Sequence, residues 1–147
     1  MKIRYAKQCD FEFLIEGLER NRIIENRPKK DIKARASDKK DFKKAIKKKN
    51  IRIVEDAGQP IAFLYFRTDF KVMYIYDKFL WIDLIYVKEG FRGKGLGTLL
   101  YKDVQKIAKR KGYKRIIIDI FKANDKSYAF HKKRGFAPIY TIYEKRT

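Results

Sequence analysis

The spacing of apolar positions changes rhythm along the chain, and each rhythm predicts an element. Ile3 and Tyr5 alternate with charged neighbours, which predicts a short strand, and Asp10 stands where a helix N-cap would accept from free N–H groups. Phe11, Leu14, Ile15 and Leu18 then recur on one helical face, a pattern that fades between Asn21 and Asn26 before Pro28 breaks it. After a polar connection, Asp38 and Asp41 supply N-terminal capping character, and Phe42, Ala45 and Ile46 make the narrow apolar stripe of a second helix. Ile51 to Glu55 and Pro60 to Thr68 read as a hairpin closed by Asp56-Ala57-Gly58-Gln59. Between Asp69 and Lys78 the pattern leaves three alternatives: Val72 to Tyr76 extends that strand, begins another, or forms an aromatic loop over a pocket. Phe79 to Val87 is nearly continuous in apolar residues, as expected of a strand covered on both faces, and Asp83 is the single charge inside it. Leu96, Leu100, Val104 and Ile107 restore helical spacing, with basic residues towards the end and Gly112 beyond it. Ile116, Ile117, Ile118 and Ile120 make a further buried strand. Asn124, Asp125 and Ser127 offer caps for a short helix running to about Arg134, Gly135 ends it, and Phe136 to Tyr143 reads as a final strand.

Composition narrows the class without changing these elements. The 147 residues suit one domain, 1–147, and 45% hydrophobic residues with 15% aromatics argue for a packed core and against disorder. No apolar run approaches the roughly 20 residues of a membrane-spanning helix. The N-terminal segment lacks an export signal and the one cysteine, Cys9, has no internal partner, so a reduced cytoplasmic setting is expected. A lone cysteine and a lone histidine meet no metal-ligand spacing. The net charge of +20 is the outlier. It calls either for an acidic counterpart, with nucleic acid a partner suggested by charge alone, or for a lysine-rich proteome. In such proteomes, though, Lys and Glu usually rise together, and here Lys and Arg number 38 against 18 Asp and Glu. The second helix concentrates this charge in Lys39, Lys40, Lys43, Lys44, Lys47, Lys48 and Lys49, either a binding surface or a solvated face.

Chemistry enters where the apolar strand ends. Val87-Lys88-Glu89-Gly90-Phe91-Arg92-Gly93-Lys94-Gly95-Leu96-Gly97-Thr98 leads directly into the third helix. Glycines at 93, 95 and 97 let the backbone approach a ligand closely, and the N–H groups of the loop and first helical turn make a field suited to a pyrophosphate. The spacing satisfies neither the dinucleotide-binding G-x-G-x-x-G nor the P-loop G-x-x-x-x-G-K-[ST].

Arg92-Gly93-Lys94-Gly95-Leu96-Gly97 instead resembles the R/Q-x-x-G-x-G/A signature of the GNAT superfamily of acyl-CoA-dependent N-acyltransferases, with Arg92, Gly95 and Gly97 at the signature positions. Asn124 to Phe136, Asn-Asp-Lys-Ser-Tyr-Ala-Phe-His-Lys-Lys-Arg-Gly-Phe, looks like that family's N-x-x-A-x-x-x-Y-x-x-x-G-F segment, and the order of elements is similar over essentially the whole chain. The resemblance implies a single-domain α/β (α+β) fold. Its central sheet would be mixed but mostly antiparallel, with six to seven strands, about four flanking helices, and a splay between strands four and five. It also implies that acetyl-CoA or another acyl-CoA docks in that splay. Its pantetheine arm would lie along Ile85, Tyr86 and Val87, its pyrophosphate on the backbone of Arg92, Gly93, Lys94, Gly95, Leu96, Gly97 and Thr98, and Asn124, Phe130 and His131 would lie near the arm. Val87 N–H is the group expected to hold the thioester oxygen.

Transfer to a primary amine by direct attack in a ternary complex needs a base, because an amine with a lysine-like pKa is almost wholly protonated at neutral pH. Asp83 is the candidate, sharing the parity of Ile85 and Val87; alternatively it forms a buried ion pair. Glu89 is the second choice. Where the family carries a tyrosine thought to protonate the leaving thiolate, this chain has His131, a candidate acid with Tyr128 as the alternative. The competing expectation is a non-catalytic acyl-CoA-binding or nucleic-acid-associated module on the same scaffold. The acceptor, a protein or peptide amine, a polyamine or another small amine, is not specified, and neither is a monomer as against a homodimer. The basic second helix favours an acceptor with acidic surroundings.

Overall fold

The structure, a computed structural model, describes all 147 residues. Its elements are β1 (Lys2–Tyr5), α1 (Phe11–Ile24), α2 (Ala36–Lys47), β2 (Ile51–Asp56), β3 (Gln59–Arg67), β4 (Phe79–Val87), α3 (Leu96–Arg110), β5 (Arg115–Ile118) and α4 (Asp125–Lys132). The five strands form one sheet in sequence order, antiparallel from β1 to β4 and parallel between β4 and β5. None of the helices is long and apolar enough to cross a membrane.

Strand alternation sets the layers. Ala62, Leu64 and Phe66 of β3 face Leu100, Val104 and Ile107 of α3, while Phe63 and Tyr65 face Phe13 and Leu14 of α1 and Phe42 and Ala45 of α2. The β2–β3 hairpin closes as expected, with Ala57 and Gly58 both at positive φ, the two-residue turn that matches strand twist. Asp10 departs from its expected role as the side-chain cap of α1. Its carboxylate accepts instead from Lys7 N–H at 2.7 Å and from Arg4 at 2.7 and 2.9 Å, because β1 delivers a guanidinium to it. Asp38 does cap, accepting from Arg35 N–H at 2.7 Å.

Of the alternatives for residues 69–78 the chain takes a loop. Phe70 stacks on Trp81 at 4.6 Å, and Val72 and Ile75 pack on Phe79, Trp81 and Ile117, so the apolar side chains are spent on the end of the sheet away from the glycine loop. The expected six to seven strands are five, since Phe136 to Tyr143 forms no ladder. Pro138 has no N–H to give, and the unpaired edge of β5 is four residues long. Ile139, Tyr140, Ile142 and Tyr143 stay exposed.

Candidate functional site

Two irregularities in β4 create the site. The first is a bulge: Tyr65 pairs with Leu84 and Phe66 with Ile82, which leaves Asp83 without a partner on β3. The extra residue shifts the alternation, so Ile82 lies on the α3 side and Leu84 on the α1 and α2 side. Asp83 therefore does not share the parity of Ile85 and Val87; it turns towards α2, where Arg67 reaches it at 3.3 Å. The second is the loss of β5. Pairing ends at Ile82 with Ile118, while β4 continues five residues to Val87. Lys88 N–H donates to Ile61 of β3, so by alternation Val87 N–H faces the opposite, open side.

A cleft runs along that open edge, lined by Ile85, Tyr86 and Val87, by Arg92, Gly93, Gly95, Leu96, Gly97 and Thr98, and by Asn124, Phe130 and His131. Every expected cofactor contact lines it except Lys94, whose ammonium lies over the Phe91 ring at 5.3 Å. The glycine loop is built for an anion. Gly93 and Gly95 take φ of 75° and 78°, Arg92 Nε ties the loop back to Val87 O at 3.0 Å, and the first helical bond is Leu99 N–H to Gly95 O. Backbone N–H groups from Gly93 to Thr98 donate to nothing within the chain. A Cβ at Gly97 would stand 3.1 Å from Phe130 Cε2, so a side chain there needs the ring to give by a few tenths of an ångström.

Arg134 was legible only as the end of the last helix, yet it lines the cleft. Its guanidinium lies 3.4 Å over the Phe130 ring and donates to Thr98 Oγ1 at the helix start, with Nε unpaired. Burial lowers its pKa, and the half-buried guanidinium presents a cation to the cleft, of the kind that pairs with a phosphate. Asn124 spends its side-chain oxygen on capping α4, accepting from Ser127 N–H at 3.1 Å.

The two candidate acids differ in place. His131 is 6% exposed, packed edge-on against Phe130 and Phe136. Its Nδ1 lies 2.7 Å from Ser127 O; a carbonyl can only accept, so Nδ1 carries the hydrogen and Nε2 is left as an unpartnered acceptor. Burial lowers its pKa, so the neutral ring prevails at pH 7. Tyr128 is 50% exposed and lies outside the cleft lining.

Asp83 occupies the junction of this cleft with a second cavity of about 220 Å³ that extends towards α1 and α2. Its side chain is 32% exposed but recessed. Desolvation raises its pKa, the Arg67 guanidinium opposes this without prevailing, and the neighbouring charge of Asp119 adds to the rise. Asp119 was not singled out in the sequence. It follows the last paired residue of β5 as Asp83 follows that of β4, so the two strands part with a carboxylate on each, and burial raises the pKa of Asp119 too. The lysines of α2 do not line either cavity, and Lys44 and Lys48 pair with Asp69.

A sequence model of the acetyltransferase (GNAT) family matches residues 18–136. The chain belongs to this family. Its fold recurs in solved structures over nearly their full lengths. A mutant of a Bacillus halodurans protein gives a TM-score of 0.82 at 19% identity, covering 100% of this chain and 99% of that one. The aminoglycoside antibiotic 6'-N-acetyltransferase of Acinetobacter haemolyticus gives 0.73 at 20% identity, covering 100% and 99%. A predicted acetyltransferase from Clostridium acetobutylicum, solved with acetyl-CoA, gives 0.73 at 24% identity, covering 99% and 95%. No curated protein sequence matches the chain. As a GNAT acetyltransferase the protein is an enzyme that draws its acyl group from acyl-CoA.

Proposed function

We propose that this GNAT acetyltransferase transfers an acetyl group from acetyl-CoA to a small primary amine by direct attack, with Asp83 as the base. The observation that carries the reading is the position of the Asp83 carboxyl: it sits at the fork of β4 and β5, lining both the acyl-CoA cleft and the second cavity. Acyl-CoA supplies the activated acyl group as a thioester. Gly93 to Thr98 offer their unpaired N–H groups to its diphosphate, Arg134 adds a cation, and the open edge from Ile85 to Val87 receives the pantetheine arm. Val87 N–H, free of β3, is suited to hold the carbonyl oxygen as charge develops on it.

Asp83 takes the proton of the incoming ammonium, directly or through water. Its raised pKa brings it closer to the amine than an ordinary carboxylate, which lowers the cost of that transfer. The proton of the leaving thiol does not come from His131, because the hydrogen of that ring points at Ser127 O. The attacking nitrogen, which must shed a proton to become an amide, is the source closest to hand.

Acetyl-CoA-dependent thiol release across a panel of primary amines tests the reading. Asp83→Asn is expected to lower kcat by about 10²–10⁴ with acetyl-CoA affinity unchanged. Unimpaired turnover in that variant would remove Asp83 from the mechanism. Tight acetyl-CoA binding with no thiol release from any amine would favour the non-catalytic module, a reading that the missing tyrosine supports.

A further inference from the structure

The pole of the molecule opposite the glycine loop is basic on both faces of the sheet. α2 and α3 pack on opposite faces, and both bring their C-terminal ends to the pole where β4 begins, about 25 Å along that nine-residue strand from Val87. The segments 43–49 and 106–115 are rich in lysine and contain no carboxylate. Loop 69–78 bridges the two helix ends. Asp69 lies 3.6 Å from Lys44 and 3.3 Å from Lys48, while Lys78 donates to Lys111 O at 3.3 Å and Asp77 lies 3.7 Å from Arg115. With both carboxylates of the loop so engaged, Lys43, Lys47, Lys49, Lys109, Arg110 and Lys114 stand exposed without an acidic partner.

Lysines near helix C-termini complement the macrodipole and need no further reason; the aromatic residues between them do. A turn closed by Ile75 N–H to Val72 O at 3.2 Å packs Val72 and Ile75 on the sheet and carries Met73 and Tyr74 at its tip, Tyr74 at a φ of 68° that is uncommon for a bulky residue. Tyr74 is 79% exposed and Tyr76 93%, between the basic ends of the two helices. Within α2 the one aromatic, Phe42, is buried, so the fold supplies from the loop the rings that the lysine run lacks. Open rings set among cations without counter-ions are the components of a single-strand platform, on which bases stack while phosphates lie against the lysines. An anionic membrane is the poorer fit. Interfacial docking takes an apolar face, and Phe42 and Ala45 of α2, like Val72 and Ile75 of the loop, are turned onto the sheet.

We propose that this pole binds single-stranded RNA, with Tyr74 and Tyr76 stacked on unpaired bases and the lysines at the ends of α2 and α3 on the phosphates to either side. RNA is favoured over DNA by the phenol hydroxyls, which can reach the ribose 2′-OH. The surface stands apart from the fork of β4 and β5, so a strand bound there leaves the acyl-CoA cleft open. It is independent of the acyl-transfer reading.

Fluorescence anisotropy of the full chain with labelled oligomers of about 20 nucleotides tests this, comparing a mixed-sequence RNA single strand, the DNA strand of the same sequence and the RNA duplex. The RNA single strand should bind most tightly. Tyr74→Ala with Tyr76→Ala should weaken it by about tenfold or more at every salt concentration and leave the duplex unaffected. Lys47→Gln with Lys109→Gln should instead make the dependence of log Kd on log salt shallower by about 1.4, at about 0.7 per phosphate contact. All four side chains are exposed, so the variants keep the fold. A duplex bound as tightly as the single strand, or full affinity in the tyrosine variant, would reveal charge attraction alone and overturn the inference. DNA bound as tightly as RNA, or binding to phosphatidylserine vesicles with none to RNA, would overturn it as well.

Discussion

Asp83 and Asp10 show how differently a carboxylate beside an arginine can be used. At Asp83 desolvation prevails over one shared guanidinium, and the pKa rises; such a group is held ready to take a proton. At Asp10, 2% exposed, burial also pushes upwards, but two hydrogen bonds from Arg4 and one from Lys7 N–H prevail, and the pKa falls. A depressed carboxyl contributes stability that is present in full above the unfolded carboxylate pKa, about 4, and is lost as the pH falls through the lower native value. Asp10→Asn should therefore cost about 2–3 kcal/mol at pH 7, less than a wholly orphaned buried cation because Arg4 keeps Glu55, and the gap from wild type should narrow below about pH 4. Denaturant melts at both pH values measure it; a constant gap would show that the ion pair is not its source. The sequence identified Asp83 because a charge inside an apolar strand demands a reason. It gave no such signal for Asp119 or Arg134, which sit among other charged residues where nothing marks them.

Among the elements, α1 carries the tightest constraint. A Cβ at Gly17 would stand 2.4 Å from Phe63 Cε1 and 2.8 Å from Tyr86 Cδ1, and Phe63 is fully buried among Phe13, Phe42 and Tyr86 and has nowhere to retreat. Gly17→Ala would gain about 1 kcal/mol of helix propensity but incur overpacking of about 1–3 kcal/mol, and at 2.4 Å the upper part of that range applies. A net fall in stability is expected in thermal unfolding; a neutral or stabilised variant would contradict this docking of α1 on the sheet. The elements themselves were largely legible: periodicity located all four α-helices, the hairpin and β4. Two features were not, and for physical reasons. The bulge at Asp83 is a matter of register between β3 and β4, and alternation read along one strand cannot reveal an inserted residue. Phe136 to Tyr143 has the alternation of a strand, but a strand exists only with a partner edge.

For the whole molecule, the decisive feature is a division of charge. Lysines crowd the outer face of α2, while the cavity beside the middle of β4 is lined by carboxylates drawn from the C-terminal end of α1, from α2, from β4 and from the segment after β5. Sequence order conceals this, since residues 25, 38, 41, 83 and 119 meet only once the chain is folded, whereas a run of lysines is conspicuous in the linear chain. The glycine loop was the opposite case: Arg92, Gly95 and Gly97 are local, and local geometry is what adjacent residues encode. Acyl transfer with Asp83 as base requires the acyl-CoA to lie in the fork of β4 and β5, against the Asp83 carboxyl. A crystal structure of the acetyl-CoA complex tests this most directly. It should show diphosphate oxygens about 3 Å from N–H groups between Gly93 and Thr98, with the thioester beside Val87 N–H and facing the Asp83 carboxyl. A cofactor bound on the lysines of α2, with the fork empty, would contradict it.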